Sequence, residues 1–168
     1  FYNKLIKEKK INLIINLASL TNIEECEKNK KVAVFKNVII AKKLAKLAIV
    51  NNINIVHLST DHLFNGTKPS KYSEKDRCDP LNYYSLTKLK AEKEVKKYKK
   101  SLVIRTNFFG WGFSYRKSFS DYILSNLKKK KYINLWYNIY FTPVYINYLI
   151  YIIHLLLNKK IFGTINIS

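Results

Sequence analysis

Leu58-Ser59-Thr60-Asp61-His62-Leu63-Phe64-Asn65-Gly66 leaves the end of an apolar run, Ile53 to Leu58, and is followed downstream by Asn82-Tyr83-Tyr84-Ser85-Leu86-Thr87-Lys88. The apolar run reads as a buried strand and the second segment as the start of a helix. Tyr84 and Lys88 are one helical turn apart, so both side chains leave the same face. A phenol beside a fixed ammonium is expected to ionise more easily, because the positive charge favours phenolate. Such a phenol can hand a proton to a carbonyl oxygen, and a hydroxyl from Thr60 can hold that oxygen in place.

Outward from this block, short apolar runs alternate with helical patterns. Ile11 to Leu17 is a strand of the kind buried in parallel sheets. Val32 to Val50 is a helix with Val34, Val38, Ala41, Ala45 and Ala48 on one stripe. Tyr72 to Pro80 is polar and turn-rich, and Tyr84 to about Tyr98 is a helix with Glu92 and Lys96 as a surface pair. Leu102 to Arg105 is a strand, Arg116 to Leu127 a helix, Tyr132 to Leu135 a short strand, Val144 to Leu157 a buried helix and Gly163 to Ile167 a last strand. This alternation predicts an α/β fold built on a doubly wound parallel sheet.

Three blocks in order carry a family resemblance: Ser59 to Gly66, Pro80 to Lys88, and Arg105-Thr106-Asn107-Phe108-Phe109-Gly110. They are similar to the S-T-D-Y-V-F-D-G, P-x-N-x-Y-G-x-x-K and R-T-S-W-x-Y-G segments of the extended short-chain dehydrogenase/reductases, and within them to the dTDP-4-dehydrorhamnose reductase family. Asn16-Leu17-Ala18 resembles the N-A-A that ends that family's fourth strand, and Asn37 stands where the family has a Val-Asn pair. The resemblance runs from about Ile11 to the end of the chain. It implies an NAD(P)-binding Rossmann-like domain that uses NADPH or NADH to reduce the 4-keto group of a nucleotide-linked deoxysugar, in cell-surface polysaccharide synthesis.

By the same resemblance Thr60, Tyr84 and Lys88 are catalytic. Leu17, Ala18, Ser19, Asn37, Tyr84 and Lys88 face the cofactor, with Lys88 binding ribose hydroxyls and lowering the pKa of Tyr84. Thr60, Asp61, His62, Asn107 and Phe108 face the nucleotide-sugar substrate. His62 and Phe108 replace a Tyr and a Trp of the family pattern. Asn37 alternatively bridges helix to strand or is a surface amide, and Thr142-Pro143 is a family segment or a plain connection. His57, mid-strand, and His154, mid-helix, read as core residues, and Trp111 and Trp136 as core or rim packing. No cluster of His, Cys, Asp and Glu has metal-ligand spacing.

None of the 4 glycines forms a G-x-x-G-x-x-G, the loop whose backbone N–H groups approach a pyrophosphate. The chain therefore reads as a single α/β domain, 1–168, incomplete at its N-terminus: about 1–110 as the remaining Rossmann core with the catalytic motif, and about 111–168 as a substrate-side region. The first strand is then expected at an open, apolar sheet edge that invites self-association, including a homodimer. A second expectation keeps the fold and drops the catalysis: a silent binding module resembling the regulatory subunit of methionine adenosyltransferase.

The net charge of +20 is nearly all lysine, the arginines being Arg77, Arg105 and Arg116. Arginine supplies the two-pronged fork that reads bases and grips phosphates, so its scarcity argues against a nucleic-acid reader. Solvated lysines on helix faces account for the charge. Cys26 and Cys78 lack C-x-x-C spacing and read as reduced thiols of a cytoplasmic protein. No stretch approaches the roughly 20 apolar residues of a spanning helix, so no membrane partner is expected.

Overall fold

A computed structural model describes residues 2–111, 118–135, 139 and 141–168. The elements run α1 Tyr2–Glu8, β1 Leu13–Asn16, α2 Ile23–Lys28, α3 Lys30–Ala33, a π-helical turn Val34–Ile39, α4 Ile40–Asn51, β2 Asn54–Leu58 and a 3₁₀ turn Asp61–Leu63. They continue with α5 Tyr83–Val95, β3 Ser101–Thr106, β4 Phe108–Phe109, α6 Phe119–Lys128, β5 Val144–Tyr145, α7 Ile146–Asn158 and β6 Gly163–Ile167.

The main sheet is parallel, in the order β1-β2-β3-β6. Its strands are short apolar runs with side chains needed on both faces, and each face has its own core. Ile55 and Val103 pack with Ala41, Ala45, Ala48, Ala91 and Val95 under α4 and α5. Their neighbours Val56, Leu102 and Ile104 point the other way, onto Leu149 of α7 and Val144. Helices thus cover both faces, as a doubly wound sheet requires. The alanines of α4 are a spacing device, since they bring this helix close to the sheet and to α5.

β1 is an edge strand, and Ile15 is 50% exposed there. At the other edge β6, drawn from the last residues of the chain, pairs with β3. β4 and β5 form a separate two-stranded parallel ladder, Phe108 with Val144 and Phe109 with Tyr145.

Several expectations need correction. The helix expected over Val32 to Val50 is continuous from Lys30 but contains the π turn. A π turn inserts one extra residue and rotates the face. Ala33 and Asn37 are therefore buried at its N-terminal end, whereas Val34 is only half-buried. Tyr132 to Leu135 is not a strand; both end residues stand in solvent, and among the described residues the segment pairs with no strand. Val144 and Tyr145 belong to β5 rather than to the following helix, and α7 is not buried. Only Leu149 of α7 is fully enclosed, while Tyr148, Ile150 and Tyr151 are exposed. His154 is exposed on α7 and pairs with Asn158 at 2.9 Å, so it is not a core residue. Trp111 is exposed, and α6 starts at Phe119 behind a capping box of Ser118 and Asp121. Arg116 and Trp136 lie outside the described residues.

Candidate functional site

The chain leaves β2 at Leu58 and turns at once. Thr60 is extended and caps the 3₁₀ turn, its hydroxyl accepting from His62 N at 3.2 Å and donating to Asp61 Oδ1 at 3.3 Å. The cap of this loop is thus Thr60, with Asp61 in its first turn. Across from it α5 begins at a fixed point. Asn82 accepts from Ser85 N at 2.9 Å, and Glu27 accepts from Tyr83 N at 2.7 Å, satisfying two of the free N–H groups at the helix start. Tyr84 then lies in the first turn and Lys88 one turn on. The Lys88 ammonium, on a side chain only 3% exposed, donates to Leu58 O at 2.5 Å. The His62 ring meets the Tyr84 ring edge-on, with centroids 6.4 Å apart. Thr60, His62, Tyr84 and Lys88 therefore converge at the carboxyl end of β2, where open α/β sheets receive their ligands.

Burial governs the charges here. It raises the Tyr84 phenol above its ordinary range, with Thr60 hydrogen bonding pulling the other way and the Asp61 and Cys26 charges adding to the rise. Burial also lowers Lys88 to about 8, opposed by the Glu92 carboxylate. The expectation that Lys88 lowers the Tyr84 pKa is corrected accordingly: the ammonium spends its short hydrogen bond on Leu58 O, and desolvation of the phenol dominates.

His57, expected in the core, is fully buried and pairs with Asn16 across β1 and β2. Asn16 Oδ1 accepts from Ala18 N at 3.1 Å, so its amide nitrogen is the group that donates to His57 Nδ1 at 2.9 Å. The imidazole proton is then on Nε2, which has no partner among the described residues. Burial, with the nearby Lys88 charge, lowers His57 to about 3.

The loop after β1 forms a second group. Leu17 and Ala18 are exposed at the rim, and Ser19 turns inward. Asn37 is 1% exposed and is not a surface amide. Its Oδ1 accepts from Leu20 N at 2.6 Å and Ser19 Oγ at 3.1 Å. Its Nδ2 donates to Leu20 O at 3.1 Å and to Thr87 Oγ1 at 2.9 Å. Thr87 in turn donates to Tyr84 O at 2.7 Å. The π turn that places Asn37 on the buried face thereby ties the β1 loop to the backbone of Tyr84.

Asp61 and Asn107 line a third region, a cleft of about 630 Å³ that also has Phe64, Arg105 and Thr142 on its walls. Tyr84 and Lys88 are not on those walls. Phe108 sits outside it in β4 and is exposed. Asn107 O accepts from Val144 N at 2.9 Å, the bond that starts the β4–β5 ladder.

One polar group escaped the reading of the sequence. Glu92 is not paired with Lys96 at the surface. It is buried and holds Arg105 of β3, with Nε donating at 3.0 Å and NH2 at 2.8 Å. Its position one turn beyond Lys88 on α5 was the available signal, since that spacing puts it on the same inward face. Among the described residues no metal-binding cluster occurs, and no helix is long and apolar enough to cross a membrane.

A parallel sheet with Thr60, Tyr84 and Lys88 gathered at the end of its second strand defines a Rossmann-like domain of the short-chain dehydrogenase/reductase class. More particularly, the chain belongs to the family described as the RmlD substrate binding domain, which matches residues 2–165. The dTDP-4-dehydrorhamnose reductase of Aggregatibacter actinomycetemcomitans is 36% identical over 105 residues, 62% of this chain and 36% of that protein. The crystal structure of a dTDP-4-dehydrorhamnose reductase from Clostridium acetobutylicum superposes with a TM-score of 0.87 at 29% identity. That from Bacillus anthracis, in complex with NADP, gives 0.90 at 26% identity. Both alignments cover 99% of this chain and 59% of the solved one, so the chain spans less than two thirds of these relatives.

Proposed function

We infer that the chain carries the proton-donating and substrate-facing part of an NAD(P)H-dependent reductase, acting on the 4-keto group of a nucleotide-linked deoxysugar of the dTDP-4-dehydrorhamnose kind. The convergence of Thr60, Tyr84 and Lys88 at one strand end, in a chain of this family, carries the reading. Tyr84 suits a proton donor because burial keeps its phenol protonated through neutral pH. Thr60 suits a hydrogen bond to the substrate carbonyl, and Lys88 to ribose hydroxyls. NADPH or NADH, when bound, supplies the hydride. These residues fit the nicotinamide end of such a cofactor; the chain's own glycines do not fit the pyrophosphate, since none forms the G-x-x-G-x-x-G loop. Asp61, His62, Asn107 and Phe108 face the sugar nucleotide in this reading, and Leu17, Ala18, Ser19 and Asn37 support the cofactor side. The region from about 111 onward contributes substrate-side surface, and self-association as a homodimer belongs to the same reading.

Free Cys26 and Cys78 support a cytoplasmic setting, and the lysine-dominated charge supports no nucleic-acid partner. The product would feed polysaccharide synthesis, the role named for a 33% identical relative, the spore coat polysaccharide biosynthesis protein SpsK of Bacillus subtilis. The test is NADPH oxidation by the full natural protein in the presence of dTDP-4-dehydrorhamnose, with Tyr84→Phe alongside. Loss of the proton donor is expected to slow turnover by roughly 10²–10⁴-fold with cofactor affinity nearly intact. Near-native turnover by Tyr84→Phe would overturn the assignment.

A further inference from the structure

Glu92 and Arg105 have no part in the chemistry above, yet they are 1% and 5% exposed. Arg105 reaches both carboxylate oxygens of Glu92, with Nε on Oε1 at 3.0 Å and NH2 on Oε2 at 2.8 Å. The Arg105 guanidinium is held in turn over the Phe64 ring, 5.5 Å from its centroid. Glu92 follows Lys88 by one turn on the buried face of α5, the spacing at which a lysine and a glutamate side chain meet on a helix. A buried ammonium with a buried carboxylate one turn away should turn toward it, because each is costly to keep unpaired. Lys88 instead turns toward the end of β2 and donates to a neutral carbonyl, Leu58 O.

We propose that Arg105 is a positioning residue: by occupying both oxygens of Glu92 it keeps that carboxylate from drawing the Lys88 ammonium back along α5, and so holds the ammonium at the strand end beside Tyr84. The inference rests on the reading in which Lys88 serves the cofactor side of the site. His57 faces Lys88 from β2 and is neutral, Tyr84 shares its helix, and Asp61 and Cys26 stand beyond Tyr84. Glu92 is thus the anion on the Lys88 side of α5, and Arg105 on β3 is the cation that answers it. If Arg105 is removed, the carboxylate field falls wholly on Lys88. Its charged form gains, and the side chain swings away from Leu58.

The experiment is a ¹³C-NMR pH titration of the chain labelled at lysine Cε, with the Lys88 signal assigned by its loss in Lys88→Met. Arg105→Met is expected to raise the Lys88 midpoint by about one unit or more, a tenfold change in the ratio of ammonium to amine. Glu92→Gln is expected to lower it. The double variant Glu92→Gln with Arg105→Met should titrate near Glu92→Gln, because no carboxylate is released. Arg105→Lys keeps the charge and loses the fork, and should shift the midpoint upward by less; it carries the test if Arg105→Met does not fold. A merely structural pair would change stability without moving Lys88 in opposite directions. The proposal fails if substitution of Arg105 leaves the midpoint unmoved, or moves it equally with and without the Glu92 carboxylate. The titration reads Lys88 whether or not the protein reduces a carbonyl, so its failure is separate from failure of the reductase reading.

Discussion

Replacing Asn37 with leucine tests whether the π turn and the β1 loop are held by one amide. Leucine keeps the branched outline with bulkier methyl ends, so the change leaves no room for water to enter and removes four hydrogen bonds at once. The partners differ in what they lose. Thr87 still donates to Tyr84 O, and half-buried Ser19 can turn to solvent. Leu20 N–H is the group stranded, after losing a contact of 2.6 Å, while Leu20 C=O keeps the Cys26 thiol at 3.4 Å. A main-chain N–H left unsatisfied costs about 1–3 kcal/mol and each further hydrogen bond lost about 0.5–1.5 kcal/mol, so the expected loss is about 2–5 kcal/mol. That is a large share of the stability of a domain this size, typically about 5–15 kcal/mol. In urea, at a slope of roughly 1–3 kcal/mol per molar, the midpoint should fall by about 1–3 M. Thr87→Val, alone and combined with Asn37→Leu, closes a double-mutant cycle in which the Asn37–Thr87 bond should show a coupling of about 0.5–1.5 kcal/mol. A total loss below about 1 kcal/mol, or zero coupling, would refute the idea that Asn37 ties these segments together.

Two further outcomes are expected. His57 is lowered from 6.5 to about 3 by burial and by Lys88, so the unfolded chain takes up its proton first as pH falls. Stability from this group is therefore complete above pH 6.5 and lost progressively between 6.5 and about 3. His57→Phe should flatten that part of a plot of urea midpoint against pH, and an unchanged slope would show that His57 is not buried in neutral form. In titration calorimetry the 168-residue chain should bind NADH or NADPH weakly or not at all. Contacts at the nicotinamide end contribute only about 1–3 kcal/mol each, short of the roughly 8 kcal/mol behind micromolar affinity once association entropy is counted. Micromolar binding would mean a phosphate site elsewhere in the chain.

The four strands of the main sheet, the long helices between the first three of them, and the meeting of Thr60, Tyr84 and Lys88 were legible in the sequence. They rest on local patterns: apolar runs such as Ile53 to Leu58, and a Tyr and Lys one turn apart on a helix opened by Asn82. The short apolar runs also implied a sheet covered on both faces, which the two cores confirm. Periodicity failed where the partner decides the outcome. Val144 to Leu157 is apolar enough to read as buried, but among the described residues Tyr148, Ile150 and Tyr151 are left exposed. Glu92 read as a surface partner of Lys96, because nothing local to α5 announces an arginine on β3. The tautomer of His57 follows from an asparagine on the adjacent strand, and the charge state of Lys88 from the depth of its burial. Even the direction of the Tyr84 shift reversed, since spacing along a helix shows which charges are near and cannot show how much water remains around them. Sequence determines which groups share a face because helix and strand geometry is local. Tertiary structure decides which of those groups lose their water and to whom they then turn, because desolvation depends on residues far apart in the chain.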